Sequence, residues 1–358
     1  MSARILVPNL GSTSVKYQLL EMPEERVLDR GKVERIRSPA EYREALGQIV
    51  AKHSAGLDAI GLKAVHAGPR FRGTFVVTDE VLAALREYQP AAPLHNPIYI
   101  AAIEALRELA PGVPLVAVFE TGFHRTLPGY AAAYGVPLRW REEFGIQRYG
   151  FHGASHRYIS QRVPVARLVS CHLGGSSSIC AIRDGASIDT TMGFSPQSGL
   201  ENATRHGDLD PFAVLFVMDR LGYSTAQVRE ELLGQGGLAG LSGIAGGDVR
   251  DVEAAGTPAA RLALEVFAYQ VRKTIGAYAA ALGGLDAVAF TGGIGENSAA
   301  LREACCSGLE FLGIQLDPIR NRGGAGDRMV SPDESRVTVL TLATNEELIV
   351  ARETLTAL

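Results

Sequence analysis

The chain has 358 residues, 46% hydrophobic and 21% charged, a balance that folds into globular structure and, at this length, around two cores rather than one. Its 35 lysines and arginines against 39 aspartates and glutamates give a formal net charge of −4. With no basic cluster along the sequence, that balance argues against nucleic acid or an anionic membrane as a partner.

Ile5-Leu6-Val7 opens the chain without a charged leader or a cleavage site. The most apolar later stretch, Ile275 to Leu285, is rich in Ala and Gly and stops at Asp286, short of the roughly 20 residues that a membrane span needs. The expected location is the cytoplasm. The cysteines Cys171, Cys180, Cys305 and Cys306 contain no C-x-x-C spacing and read as reduced structural thiols.

In chain order, the apolar run Ile5-Leu6-Val7-Pro8 enters the polar turn Asn9-Leu10-Gly11-Ser12-Thr13-Ser14. An alternating strand leaves it with Val15, Tyr17 and Leu19 on one face. Helical periodicity follows over Ala40 to His53 and Ile98 to Leu109. The opening construction then returns: Leu168 to Leu173, a Gly174-Gly175-Ser176-Ser177-Ser178 tip, Ile179 to Ile182, and a turn at Asp184-Gly185. Two strand–Gly/Ser–strand hairpins in matching places suggest two related domains facing one cleft, each offering backbone donors to phosphate. A long helix is expected over Pro258 to Leu282. The strand Ala287 to Thr291 then meets a glycine turn, Gly292 to Asn297, leading into a helix from Ser298 capped by Asn297 or Ser298. That turn has neither the dinucleotide-binding nor the Walker spacing. The final helix, from Thr344-Asn345-Glu346-Glu347, carries a capping signature and is expected to cross back to the first domain. Alternating strands and helices predict an α/β fold.

The ordered series resembles the acetate kinase family, kinases of short-chain carboxylates with the duplicated fold shared by actin, sugar kinases and heat-shock ATPases. The matching stretches run from Asn9 to Lys16 through Ala92-Pro93-Leu94-His95-Asn96-Pro97 and Arg148 to His156. They continue with Cys171-His172-Leu173-Gly174, Met192-Gly193-Phe194, Thr204-Arg205, Phe267-Ala268-Tyr269, Gly293 to Asn297, and Thr344 to Leu348. The resemblance implies two actin-like (ribonuclease H-like) α/β domains flanking a nucleotide cleft. They would be residues 1–147 together with the helix 345–358, and residues 148–344. It also implies a homodimer, ATP/ADP and a small carboxylate as partners, Mg²⁺ (Mn²⁺ possible) as cofactor, and ATP-dependent conversion of acetate to acetyl phosphate.

Residue by residue, the resemblance places His152 and Arg205 on the transferring phosphoryl group, with Glu120 as the third catalytic side chain. Phosphoryl transfer between oxyanions asks for such donors and for alignment more than for covalent help. Lys63 would bind the carboxylate beside an apolar wall of Val65, Leu94, Phe151 and Pro196. ATP would lie on Lys16, on the loop His172-Leu173-Gly174-Gly175-Ser176, on Asp248-Val249-Arg250, and on Gly293-Ile294-Gly295-Glu296-Asn297. Asn9 and Glu346 would hold the metal through oxygen.

Several positions depart from the family pattern. Lys63 stands where the family has arginine, losing the two-pronged grip on a carboxylate. Glu120 replaces aspartate, Gly175 an asparagine, and Asn202-Ala203 a Met-Gly pair, while the stretch between His156 and His172 is shortened. Charge signs are kept, which suits a divergent active enzyme. The competing readings are a kinase for propionate, butyrate or another small acid, a nucleotide-binding regulator without transfer, and a sugar kinase. The last would need polar groups in place of the apolar wall.

Overall fold

The computed structural model describes residues 2–11, 14–324 and 326–358. The first sheet is built from β1 (Ala3–Leu10), β2 (Ser14–Met22), β3 (Arg26–Glu34), β4 (Ala59–Ala64), β5 (Thr74–Val76) and β6 (Leu115–Phe119). The second contains β7 (Arg167–His172), β8 (Ser178–Arg183), β9 (Ala186–Thr190), β10 (Ala287–Thr291), β11 (Arg328–Met329) and β12 (Thr338–Thr341).

The strand order is β3-β2-β1-β4-β6-β5 in one sheet and, read from its other edge, β9-β8-β7-β10-β12-β11 in the other. The two orders coincide strand for strand. So do the directions: an antiparallel hairpin (β1/β2, β7/β8), two parallel pairings (β1/β4/β6, β7/β10/β12) and an antiparallel edge (β5/β6, β11/β12). The repeated hairpins thus open two copies of one topology, each around its own apolar core. Ser12 and Thr13 of the first expected phosphate loop lie outside the described residues.

The expected helices form at Pro39–His53, Asn96–Leu109 and Pro258–Leu282. The last shows why its bounds are sharp: Thr257 caps it by accepting from Ala260 N, Pro258 fills the first turn, and Gly283 ends it at φ 70°. The glycine turn differs from expectation. Gly292–Asn297 is itself a helical turn springing directly from β10, and a second helix, Ala299–Cys306, starts after a break at Ser298. Gly292 sits at φ 78° with the site of a Cβ only 2.6 Å from Leu173 O, and that carbonyl accepts from both Ile294 N and Gly295 N. Ser298 alone caps the second helix, through Leu301 N at 3.2 Å, whereas the Asn297 amide turns back to Gly293 O at 2.8 Å.

The final helix, Glu346–Ala357, packs across β1, β2, β4 and β6 of the first sheet. Val350 and Ala351 are buried there with Ile5, Val7, Leu20, Met22, Val116 and Val118. Gly61 on β4 permits the approach, since a Cβ there would stand 2.3 Å from Thr354 Oγ1. Asn345 caps this helix by accepting from Leu348 N at 3.0 Å, which sets Glu346 at its first turn. All four cysteines are buried and free, and no helix among the described residues is long and apolar enough to cross a membrane.

Candidate active site

His152 stands at the head of the helix Gly153–Arg162 in the left-handed conformation, φ 55°. A non-glycine residue held there is uncommon, and such strain gathers at functional sites. Gly153 makes the placement possible: its N–H donates to Glu120 O at 3.1 Å, and a Cβ would lie 2.1 Å from that oxygen. The His152 ring stacks on His172, centroids 4.3 Å apart, and its Nδ1 meets Ser178 Oγ at 2.8 Å. Burial, then the fields of His172, His156, Lys63 and Arg205, hold its pKa well below the usual range. It is a neutral imidazole at physiological pH.

Arg205 is buried and reaches across the cleft. Its guanidinium donates to Ser176 Oγ at 2.9 Å, to Pro196 O at 3.3 Å and to His95 Nε2 at 3.2 Å. Burial lowers its pKa to about 10, so it stays charged. Because arginine only donates, His95 Nε2 accepts, and the imidazole proton sits on Nδ1. That Nδ1 is buried with no partner. Burial, reinforced by Arg205 and Lys63, pulls the His95 pKa down to about 3, leaving a neutral donor without an acceptor. A buried N–H without an acceptor beside a buried guanidinium is a pair of groups that can both donate to an anion. Sequence reasoning took only Leu94 from the Ala92–Pro97 stretch and missed His95, although the stretch was itself the signal.

On the first sheet, Lys63 at the end of β4 is held between two carboxylates, 2.6 Å from Glu346 Oε2 and 3.4 Å from Glu120 Oε1. Burial disfavours the ammonium, but Glu346 and Glu120 outweigh it and hold its pKa well above the usual value. Burial and the neighbouring Glu346 raise Glu120 to about 7 despite Lys63. Glu346 is lowered, because Lys63 and His172 overcome its own burial. Neither Glu120 oxygen has a hydrogen-bond partner.

The expected nucleotide residues other than Lys16 come together at the second sheet. A cavity of about 680 Å³ is lined by Gly174, Gly175, Asp248, Val249, Arg250, Gly293, Ile294 and Asn297, with Gly246, Gly247 and Glu253. That is room for a nucleotide. His172, Leu173, Ser176, Gly295 and Glu296 lie in the same loops outside the lining, Glu296 accepting from Gly292 N at 3.0 Å. Arg250 closes on Asp248 at 2.6 Å. The departure at Asn202 has a structural use, since its Oδ1 accepts from Ser177 N and so braces the Gly174–Ser178 tip beside Arg205.

Other expected residues are more scattered. Lys16 is exposed on the opposite hairpin, in register with Asn9, whose amide donates to Glu347 Oε1 at 2.9 Å rather than meeting Glu346. Among the described residues no three His, Cys, Asp or Glu side chains form a metal cluster. Magnesium brought in on a polyphosphate needs only one or two protein oxygens besides phosphate and water, and the oxygens of Asn9 and Glu346 fit that donor set. Val65 and Phe151 share one buried apolar cluster and Pro196 is buried, but Leu94 is 43% exposed and stands outside that cluster.

Comparison with known proteins places this geometry. Residues 43–352 match the Acetokinase family. Over 393 aligned positions the chain is 42% identical to an acetate kinase of Caldanaerobacter subterraneus subsp. tengcongensis, covering 98% of each. It is 43% identical to a propionate kinase of Citrobacter rodentium over 391 positions, covering 99% of this chain and 96% of that one. The crystal structure of Porphyromonas gingivalis acetate kinase superposes with a TM-score of 0.88 at 36% identity, over 99% of both chains. A two-domain α/β architecture of the actin-like ATPase type, matched from end to end, and a family match over most of its length lead to one conclusion: the chain belongs to the Acetokinase family.

Proposed function

We propose that the protein transfers the γ-phosphoryl group of ATP to acetate, giving acetyl phosphate and ADP. The observation that carries this reading is the convergence of Arg205, His95 and His152, two of them neutral donors, between the nucleotide cavity and the Lys63–Glu120–Glu346 cluster. A carboxylate oxygen of acetate attacks the γ-phosphorus, and the bond from that phosphorus to the β–γ bridging oxygen breaks. Arg205, His95 and His152 donate to the oxygens of the group in flight, where charge is spread. Lys63 orients the acetate carboxylate as a point charge, and Val65, Phe151, Pro196 and Leu94 limit the methyl side. Lys16 and the backbone of Gly174, Gly175 and Gly293 hold the polyphosphate. Asn9 and Glu346 are the oxygen donors for Mg²⁺, or Mn²⁺, which when bound neutralises phosphate charge.

Propionate is the second reading. Apolar pockets discriminate one methylene by only about 1–3 kcal/mol, and a relative of similar identity is named a propionate kinase. We also infer a division into residues 1–147 with 345–358, and 148–344, a cytoplasmic enzyme, and a homodimer. Supporting the homodimer, the helix Pro211–Leu221 exposes Phe212, Leu215, Phe216 and Leu221, a patch that a free monomer leaves wet. An acyl-hydroxamate assay over formate, acetate, propionate, butyrate and glycolate, with ATP and pyrophosphate as donors, tests the proposal. Acetate with ATP should give the highest kcat/KM. No turnover of any acid would favour a nucleotide-binding regulator instead.

A further inference from the structure

We propose that Ser178, His156 and Ser170 form a hydroxyl–imidazole relay that fixes His152 in the tautomer with its proton on Nε2, making Ser178 and His156 positioning residues. The proposal rests on the reading of His152 as a donor to the transferring phosphoryl group.

The relay is continuous and buried. His152 Nδ1 meets Ser178 Oγ at 2.8 Å, the same oxygen meets His156 Nε2 at 2.9 Å, and His156 Nδ1 meets Ser170 Oγ at 2.9 Å. Ser170, His156 and Ser178 are all fully buried. The two histidines are one helical turn apart, His156 N donating to His152 O at 2.9 Å, and the two serines lie on the paired strands β7 and β8. Two other buried histidines have their tautomers set by backbone carbonyls. His66 Nε2 donates to Phe194 O at 3.0 Å, and His124 Nε2 to Phe151 O at 2.9 Å. His152 and His156 have only hydroxyls, which can donate or accept, so their direction must follow from counting protons.

Ser178 has one proton and two imidazole neighbours. If both rings donated to it, or neither did, a buried proton or lone pair would be orphaned. Two directions remain. Running from His152 toward Ser170, the path ends with the Ser170 hydroxyl proton, for which no acceptor other than His156 exists among the described residues. Running the other way, Ser170 donates to His156 Nδ1, His156 Nε2–H to Ser178, and Ser178 to His152 Nδ1. Every buried proton on the path then has an acceptor, and His152 Nε2–H is left for the ligand. Reversed, His152 would present a lone pair to an anionic phosphoryl group.

The test is ¹⁵N NMR of histidine-labelled full-length protein, with His152 assigned from the spectrum of His152→Asn. The expected result is an unprotonated Nδ1 and a protonated Nε2 on His152. In Ser178→Ala both shifts should move toward a tautomer average, and kcat should fall about tenfold or more while KM for ATP changes less than about twofold. Ser178→Thr should restore the tautomer and most of the turnover. A protonated Nδ1 in the unaltered protein, or His152 shifts unmoved by Ser178→Ala, overturns the relay. Should Ser178→Ala fail to fold, the spectrum of the unaltered protein decides alone. The NMR result stands whatever the hydroxamate assay gives, so failure of the relay and failure of the assigned activity are separable.

Discussion

Lys63 and Glu346, 283 residues apart in the chain, are joined by a largely buried 2.6 Å ion pair. Glu120 is the more distant partner of the same ammonium, at 3.4 Å. The arginine-to-lysine and aspartate-to-glutamate departures therefore meet in one buried network.

If the two departures compensate, Lys63→Arg should crowd the network and Glu120→Asp should leave a gap, each lowering kcat/KM for acetate. The double variant should recover much of the loss, with a coupling of roughly 0.5–3 kcal/mol. A double-mutant cycle on acetate turnover measures it. Simple additivity would make the two substitutions independent drift.

Glu120 gives stability a pH dependence of its own. In the unfolded chain its carboxyl releases a proton near 4.5, and in the folded protein near 7, chiefly because it is buried. Between those values the folded state holds more protons, so raising the pH costs stability. Relative to Glu120→Gln, the unaltered protein should lose at most about 3 kcal/mol from pH 4.5 to pH 8. Urea titrations of both proteins across that range check the sign and size. Equal slopes would show that the folded protein does not raise this carboxyl.

Arg205→Ala, His152→Ala and His95→Ala should each depress turnover by about 10²-fold or more, as expected for removal of a charge-stabilising donor, with little effect on ATP affinity. Steady-state kinetics beside calorimetric nucleotide titration separates the two effects. Near-normal turnover in all three would remove the proposed transfer site.

Gly153→Ala puts a methyl carbon 2.1 Å from Glu120 O, a backbone atom that cannot swing away. The helix carrying His152 and His156 must then shift from the end of β6. We expect turnover to fall at least tenfold even where the protein still folds, since misplacement by about 1 Å can cost on the order of 10²-fold. Circular dichroism with the hydroxamate assay distinguishes this from global unfolding.

Local signals carried far into this fold. Thr257, Pro258 and Gly283 bound the long helix where periodicity placed it, and the paired Gly/Ser hairpins foretold a duplication that the identical strand orders display. The glycine turn after β10 departs from expectation because its helical start depends on Leu173 O, a partner just past the end of β7. His95 escaped notice because its significance lies in Arg205, 110 residues away, and in an Nδ1 left without a partner. The Lys63–Glu346 pair was invisible for the same reason. A sequence reports which charges are present, while their pairing across hundreds of residues is decided by topology.

The final helix gives the protein an order of assembly. Ile5, Val7, Leu20, Met22, Val116 and Val118 wait for Val350 and Ala351, made more than 200 residues after β6 ends. At roughly 5–20 residues per second, that apolar face stays open on the ribosome for about ten seconds or longer, a natural target for a chaperone. Glu346 arrives with the same helix, so a nascent chain has made both hairpins, β1/β2 and β7/β8, before it acquires the carboxylate that pairs with Lys63. The buried Lys63–Glu346 pair therefore closes only after the helix Glu346–Ala357 has been made.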